Sequence, residues 1–560
     1  MLIVADRWER ILEEEARLHL ESCLMGIMKF RRWFAGKARV IHSVCIIESL
    51  SIPDRSSGVA LLFIRVEYVD GTSEMYTLPL TAAFGEQAAQ IQHDLPGTIV
   101  APLKVQTKGC EQIGVLYDAL WNPDFSRTLL SAIGRGSRFT GKTGALIASP
   151  TQAYEDLIGG GVSLDPAVLK AEQSNTSVAY GDRVLLKMYR RLETGINPDL
   201  EIGRMLTTMN FPYSPPLAGS LEYVRANSET VTVAILQGFV HNQGDAWSYT
   251  LDVFNQYVER CRAQPTGREH GLAFAGPLLE TAQGNIPTFA RELIGPYLES
   301  ASKLGQRTAE LHVALANARG NPEFIPEPFS LEYRRSRYES MGRLVSQTCS
   351  LLKSRLNDLP PVTKQEARRV LNDEPRMQNR FRAFFELETR ALRIRCHGDY
   401  HLGQVLWTGR DFLITDFEGE PARPLSERRT KHSPIMDVAG MLRSFYYAPY
   451  ASLLHQQLDL HAEDAGASLE PWIRFWYGWV SVTFLKSYLR IAERAPFWPG
   501  TQSEFRALLD AHLLEKTVYE IAYELNNRPD WVRIPIRGVL DILEMHTGKV
   551  SERHRANHER

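Results

Sequence analysis

No stretch of about twenty apolar residues occurs in the 560-residue chain, so no segment has the length to cross a bilayer as a helix. Cysteine is sparse. The six thiols (Cys23, Cys45, Cys110, Cys261, Cys349, Cys396) include no C-x-x-C pair, which argues against a disulfide framework and for a reducing compartment. Charge of one sign is lacking as well. Lys and Arg number 64 against 66 Asp and Glu, a formal net charge of −2, whereas broad nucleic-acid binding needs a basic surface. A local basic pocket for phosphate is compatible with that balance. The opening, MLIVADRWERILEEEARLH, has too short an apolar run for a signal peptide and turns acidic at once. No internal repeat or low-complexity tract is evident. The expectation is a soluble cytoplasmic protein with no nucleic-acid or membrane partner. At 560 residues it needs three or so packing units.

Residues 7–25 have helical periodicity, with Trp8, Ile11, Leu12, Ala16 and Leu18 interleaved with charges. VIHSVCIIESL and VALLFIRVEYVDGTSEMYTLPL then read as strands, with Asp70-Gly71 as a hairpin turn. Residues 112–135 read as helix. SVAYGDRVLLKMYRR reads as two strands around Gly181-Asp182, DLEIGRMLTTM as a helix and TVTVAILQGFV as a buried strand. Beyond His241 helical patterns dominate, and the Pro- and Gly-rich stretch 263–330 reads as loops or an insert. The expected division is a cap over 1–103, a strand-rich lobe over 104–240 and a helical lobe over 241–560.

Within the helical lobe one short strand pair stands out, QVLWTGRDFLITDF, turning at Thr408-Gly409-Arg410-Asp411. HGDYHLGQ (397–404) precedes it and DFEGEP (416–421) follows it, so a tight hairpin must bring Asp399, Gln404 and Asp416 near one another. Two chemistries fit HGDYH. His397, Asp399 and His401 at alternate positions would share one face of a strand, as a metal site requires. On a loop, Asp399 would instead be a base over a phosphate. Phosphoryl transfer needs a base for the attacking hydroxyl, oxygen ligands for magnesium and cations on the phosphates. Asp399 suits the first role. Gln404 and Asp416 offer an amide oxygen and a carboxylate, which magnesium prefers. Lys187, ending VLLK, suits the third, with Glu201 on the next helix to hold it.

These residues resemble a known family. FRRWFAGK (30–37), SNTSVAYGDRVLLK (174–187), GINPDLEIGRML (195–206), LQGFVHNQGDAW (236–247), HGDYHLGQVL (397–406), DFEGEP and YELNNRPDW (523–531) together match the maltokinases, including those fused to trehalose synthase. These lie within the aminoglycoside-phosphotransferase and protein-kinase-like superfamily. The resemblance implies an α+β, bilobal protein-kinase-like fold with an N-terminal α+β cap and a large helical C-lobe. It implies phosphorylation of maltose at its anomeric hydroxyl by ATP with Mg2+, feeding α-glucan (glycogen) synthesis linked to trehalose, with trehalose synthase as a candidate partner. By that carry-over Asp399 is the catalytic base, and Gln404 and Asp416 hold the metal. Lys187 contacts the nucleotide phosphates and Glu201 positions it, Ser174, Asn175, Thr176 and Ser177 cover the phosphates, and Gln237, Phe239 and Val240 border the adenine. Lys516, Tyr519, Tyr523 and Glu524 recur at helical spacing, with Arg528 following, and would form the sugar wall. The pattern also departs from the kinases. Gly398 replaces the loop arginine, Gln404 the usual Asn, and Glu418 stands where a kinase has Gly.

Plainer readings stand beside these. His397 and His401 suit loop packing better than metal ligation, since the chain offers no second ligand cluster. Lys187 alone would be a solvated strand end, Glu201 a surface charge, and Tyr519 and Tyr523 core residues. FRRWFAGK is as well explained by a structural staple as by a substrate role. A kinase of another sugar, an amino sugar such as glucosamine or an aminoglycoside keeps the same chemistry. A catalytically silent kinase-like module would have no need of Asp399, Asp416 and Lys187 together.

Overall fold

The alternating strands after residue 40 build an antiparallel sheet, and the computed structural model shows what covers each of its faces. It describes residues 1–53, 58–107, 109–159, 164–169, 174–225, 230–263, 274, 276–318, 320–455 and 469–544. The first sheet contains β1 (Leu2–Ala5), β2 (Ile41–Ile52), β3 (Val59–Tyr68), β4 (Ser73–Phe84), β5 (Ile99–Thr107) and β6 (Cys110–Asp118), ordered β1-β5-β6-β4-β3-β2. Gly71 closes the β3–β4 turn at φ 81°, a conformation that suits glycine. One face packs on α1 (Glu14–Ile27) through Leu20 and Leu24. Beyond β6 a 3-10 turn leads into α3 (Pro123–Gly134), α2 being Gly85–Asp94.

The stretch 112–135 is therefore not one helix. Residues up to Asp118 form β6, and α3 begins only at Pro123. Val115, Leu116 and Tyr117 are all buried because β6 lies between β5 and β4 with both faces covered. A continuous apolar run of that kind carries no period that separates strand from helix. The expected cap boundary at residue 103 falls inside β5, which pairs along its length with β6.

A second sheet follows: β7 (Arg138–Thr140), β8 (Gly144–Pro150), β9 (Pro166–Val168), β10 (Thr176–Tyr180), β11 (Val184–Met188), β13 (Leu217–Arg225) and β14 (Val231–Gly238), ordered β7-β8-β13-β14-β11-β10-β9. The short β12 (Arg191–Leu192) pairs with β4 of the first sheet. The helices here are α4 (Ala153–Ile158) and α5 (Pro198–Thr208), the latter started by the Asn197 side chain accepting the Asp199 N–H. Both sheets share one core, in which Phe63 and Tyr223 approach to 4.5 Å between ring centroids.

The chain divides into two compact units: Met1–His241 with Arg423–Glu427, and Asn242–Ala422 with Arg428–Arg560. The second is helical, with α6 (Ala246–Arg262), α7 (Leu278–Thr281), α8 (Thr288–Ile294), α9 (Tyr297–Ala316), α10 (Leu331–Ser354), α11 (Pro361–Asn372) and α12 (Glu374–Glu386). It continues with α14 (Ile435–His455), α15 (Glu470–Ala492), α16 (Gln502–Asn527) and α17 (Arg533–Glu544), while the short α13 (Leu425–Arg428) lies, but for its last residue, in the first unit. Two ribbons interrupt it, β15 (Glu327–Pro328) with β16 (Leu392–Arg393), and β17 (Val405–Trp407) with β18 (Phe412–Ile414). Of the stretch 263–330, residues 264–273, 275 and 319 lie outside the described residues, and much of the rest is helix α7 to α9. Among the described residues no helix is long and apolar enough to cross a membrane.

Glu48 ties the two sheets of the first unit together. Its buried carboxylate accepts the N–H groups of Lys142 (3.1 Å) and Thr143 (2.7 Å) and the hydroxyls of Thr143 (2.7 Å) and Tyr223 (2.9 Å). Burial alone would raise this carboxyl, but the hydrogen bonds from Thr143, Tyr223 and Ser49 outweigh it and hold it below its ordinary value. A carboxyl depressed in the folded state stabilises above its unfolded value, and that stability is lost as pH falls through the folded value. Glu48→Gln should lower the unfolding free energy by about 1–3 kcal/mol, since it leaves buried donors short of an acceptor. Urea titrations should show a larger deficit at neutral pH than in acid.

Candidate active site

HGDYHLGQ is a loop, not a strand, and its backbone is held from below by a buried acid. Asp437 in the first turn of α14 accepts the N–H of His397 (2.9 Å) and of Gly398 (3.0 Å), while His312 of α9 meets its Oδ2 at 3.1 Å. Burial pushes the Asp437 carboxyl up, yet the hydrogen bonds from His312 and from the Gly398 N–H bring it below its ordinary value. Gly398 has φ 86°, open to glycine at little cost. The loop also lies hard against α14: a Cβ on Gly440 would come 2.5 Å from the Tyr400 carbonyl oxygen.

The two histidines brace this loop. His397 donates from Nε2 to the Thr415 carbonyl (2.9 Å) and accepts the Asp399 N–H at Nδ1 (3.4 Å), which sets its tautomer. His401 accepts the Gly403 N–H at Nδ1 (3.1 Å), and its Nε2 lies 3.9 Å from Asp399. Burial holds the His401 imidazole below its ordinary value; Asp399 and Asp416 pull against that, while Lys516 and His397 add to it. Among the described residues neither histidine belongs to a set of three metal-ligating side chains with donor atoms within 4.8 Å.

The hairpin forms as its local sequence dictates, in the register Val405–Ile414, Leu406–Leu413, Trp407–Phe412. Its ends meet: the Thr415 N–H donates to the Gln404 carbonyl (3.0 Å), so Gln404 and Asp416 sit on adjoining backbone, joined to Asp399 through His397. Asp416 has φ 65°, a left-handed conformation that Asp tolerates better than most residues. Its carboxylate oxygens come within 4.8 Å of those of Glu418. That hard-oxygen donor set fits a divalent cation such as magnesium. The hairpin turn is clamped from α9, where Arg307 grips Asp411 from Nε (2.9 Å) and Nη2 (2.6 Å).

Of the expected sugar-wall residues, Lys516 comes directly to the loop. Its Nζ lies 3.3 Å from Asp399 Oδ1 and 3.4 Å from Glu420 Oε1. Burial would raise the Asp399 carboxyl, but Lys516, His401 and His397 hold it below its ordinary value. Tyr519 and Tyr523 stack at 6.3 Å, with Lys516 5.0 Å from the Tyr519 ring centroid. Glu524 is buried and Arg528 exposed; the two form a bidentate pair at 2.9 and 2.7 Å, and Arg528 also lies over Trp531. Burial raises the Glu524 carboxyl against the pull of Arg528.

The expected nucleotide residues all belong to the first unit. Ser174 is exposed and Asn175 half-buried, while Thr176 and Ser177 are buried in β10. Ser177 is opposite Lys187 in the β10–β11 register, and the Thr176 hydroxyl accepts from Arg190 (2.8 Å). Lys187 is buried, with Nζ 3.0 Å from Asp199, which also accepts from the Tyr189 hydroxyl at 3.0 Å. Glu201 is buried two residues beyond Asp199, in the same first turn of α5. Gln237, next to last in β14, is half-buried, Phe239 donates its N–H to the Arg183 carbonyl (2.8 Å), and Val240 follows half-buried.

Residues 28–121 match the family model of the maltokinase N-terminal cap domain. In structure, a glucosamine kinase in complex with glucosamine, ADP and inorganic phosphate aligns over 96% of this chain and 99% of that one, with TM-score 0.59 at 18% identity. The chain carries a maltokinase N-terminal cap on a kinase-like fold. In sequence it is 22% identical over 378 residues to a glucosamine kinase of Mycolicibacterium smegmatis, covering 67% of this chain and 79% of that protein. It is 26% identical over 380 residues to a glucosamine kinase of Streptacidiphilus jiangxiensis, covering 66% and 72%.

Asp199, Glu420 and Asp437 escaped the sequence reading, and Glu418 entered it only as a departure. Asp437 left one usable signal: a lone acid in the apolar helix IMDVAGML, where a buried charge demands partners. Asp437→Ala should destabilise the second unit by about 3–5 kcal/mol, because it strips two backbone N–H groups and His312 of their acceptor. Denaturant unfolding of the variant would show the deficit.

Proposed function

We propose that the chain transfers the γ-phosphoryl group of ATP, with magnesium, to a hydroxyl of a sugar. The proposed sugar is maltose, phosphorylated at its anomeric hydroxyl to give maltose 1-phosphate for α-glucan synthesis. The observation that carries the reading is the hydrogen-bonded frame of His397 and Thr415, which gathers Asp399, Gln404 and Asp416 at the mouth of one hairpin.

Asp399 is the proposed base for the acceptor hydroxyl. Lys516 beside it keeps the carboxylate ionised, so it is ready to take a proton across the neutral range. Asp416 and Gln404, with Glu418 near, would hold magnesium, which when bound neutralises charge on the phosphates. In the first unit, Lys187 is the proposed partner of the nucleotide phosphates, with Asp199 fixing it and Glu201, in the same helical turn, helping to position it. Residues 174–177 would cover those phosphates, and the register of Ser177 opposite Lys187 supports that assignment. Gln237 and Val240 would border adenine through backbone groups on either side of Phe239, whose own N–H is taken.

The stacked Tyr519 and Tyr523, with Lys516, Glu524 and Arg528, supply the apolar faces and polar partners a sugar needs. The maltokinase-type cap supports maltose. Glucosamine is the second reading, favoured by the names of the sequence relatives.

Incubation with ATP, magnesium and each sugar in turn, followed by phosphorus NMR, should give a sugar 1-phosphate with maltose. Asp399→Asn should lower kcat by about 10²–10⁴-fold while leaving ATP affinity near wild type. Full turnover in that variant would sink the assignment of the base. Asp416→Ala should abolish turnover, and Gln404→Ala should raise the magnesium concentration needed for half-maximal rate.

A further inference from the structure

The wall beside Asp399 carries a charge of its own. The Lys516 ammonium sits 3.3 Å from the Asp399 carboxylate, 3.4 Å from that of Glu420 and 5.0 Å from the Tyr519 ring centroid. An ammonium between two acids and beside an aromatic ring is how a binding site would receive an amine ligand. Here the chain supplies that ammonium itself.

The surroundings keep Lys516 in place. Glu515, the preceding residue of α16, is held by buried Arg337 of α10 at 2.6 Å to each oxygen. Glu520 is held by Arg443 of α14 at 2.9 and 2.7 Å, and Glu524 by Arg528. Three acids of the helix are thus matched to arginines, and the lysine is matched to Asp399 and Glu420. Burial would lower the Lys516 ammonium, but the two carboxylates more than offset it and keep it protonated.

We propose that Lys516 stands in for the ammonium of an amino sugar and so restricts the acceptor to neutral sugars. The proposal rests on the sugar-kinase reading above. A protonated amine arriving beside Asp399 would meet a like charge already in its place, and like-charge juxtaposition is a strong means of rejecting a wrong partner. A neutral sugar needs only hydrogen bonds there, which the lysine can donate. The space the Lys516 ammonium occupies beside Asp399 and Glu420 is where, without the lysine, the ammonium of a sugar could sit.

The test is kinetic. Wild type, Lys516→Met and Lys516→Arg are assayed with ATP and magnesium on maltose, glucose and glucosamine, the last two differing only at one carbon. Wild type should prefer the better neutral sugar over glucosamine by about tenfold or more in kcat/KM, as one like-charge contact requires. Lys516→Met should lose rate on neutral sugars and shift the ratio toward glucosamine by about tenfold or more. Lys516→Arg should keep the neutral preference. Wild-type kcat/KM for glucosamine should rise with pH as the sugar amine loses its proton, a dependence that Lys516→Met should lack. Melting temperature and ATP binding check that each variant is folded; if Lys516→Met is not, the wild-type ratio and its pH dependence decide. Wild type preferring glucosamine, or a folded Lys516→Met with an unchanged ratio, overturns the inference while leaving a sugar kinase. Phosphorylation of no sugar overturns both readings.

Discussion

A carboxylate removed from water and surrounded by backbone N–H groups holds this site together. Asp437 is 1% exposed, and it accepts the consecutive N–H groups of residues 397 and 398 while His312 meets the same oxygen that takes the His397 N–H. A buried charge is tolerable only when its lone pairs are satisfied, so the geometry around it has little freedom. From that point rigidity passes outward. His397, fixed by its backbone, reaches Thr415; Thr415 reaches Gln404; and the hairpin between them closes with Asp416 in a left-handed conformation. Without the anchor the loop would be an exposed turn whose acids had no reason to converge.

The long helical stretch from about 255 to 390, whose use is obscure in the sequence, supports this arrangement. Helix α9 touches the site from two successive turns: Arg307 clamps the hairpin at Asp411 and Thr308 meets the Tyr400 hydroxyl at 2.9 Å, and one turn on His312 meets Asp437. Helix α10 contributes Arg337, which fixes α16 through Glu515. The contacts of His312 with Asp437 and of Arg337 with Glu515 are buried and involve a charge, and there the low local dielectric strengthens a satisfied pair and penalises a broken one.

In the first unit the cap is not an appendage. Its sheet shares a core with the second sheet, accepts β12 as an added strand and is tied to it by Glu48. The fully buried Arg190 joins Asp118 at the end of β6 to Thr176 at the start of β10 and lies 5.2 Å from the Trp33 ring centroid. The motif FRRWFAGK thus contributes Trp33 to a buried charged cluster, while Arg31 donates to the carbonyls of Gly97 and Ile99.

What the sequence by itself determined is what short-range forces decide. The β10–β11 and β17–β18 hairpins, helix α5 and the adjacency of Gln404 to Asp416 follow from alternation, turn residues and caps acting within about twenty positions. The strand β6 was illegible because a segment buried on both faces carries no period, and β1 because four residues are too few to show one. Only the tertiary structure decided the partners of the charges. Lys187 meets Asp199 across a turn that leaves several acids within reach, Lys516 meets Asp399 from 117 residues away, and Asp437 finds the loop 40 residues behind it. A charge is satisfied by whatever packing brings to it, and packing is settled by the whole core, not by the neighbouring residues.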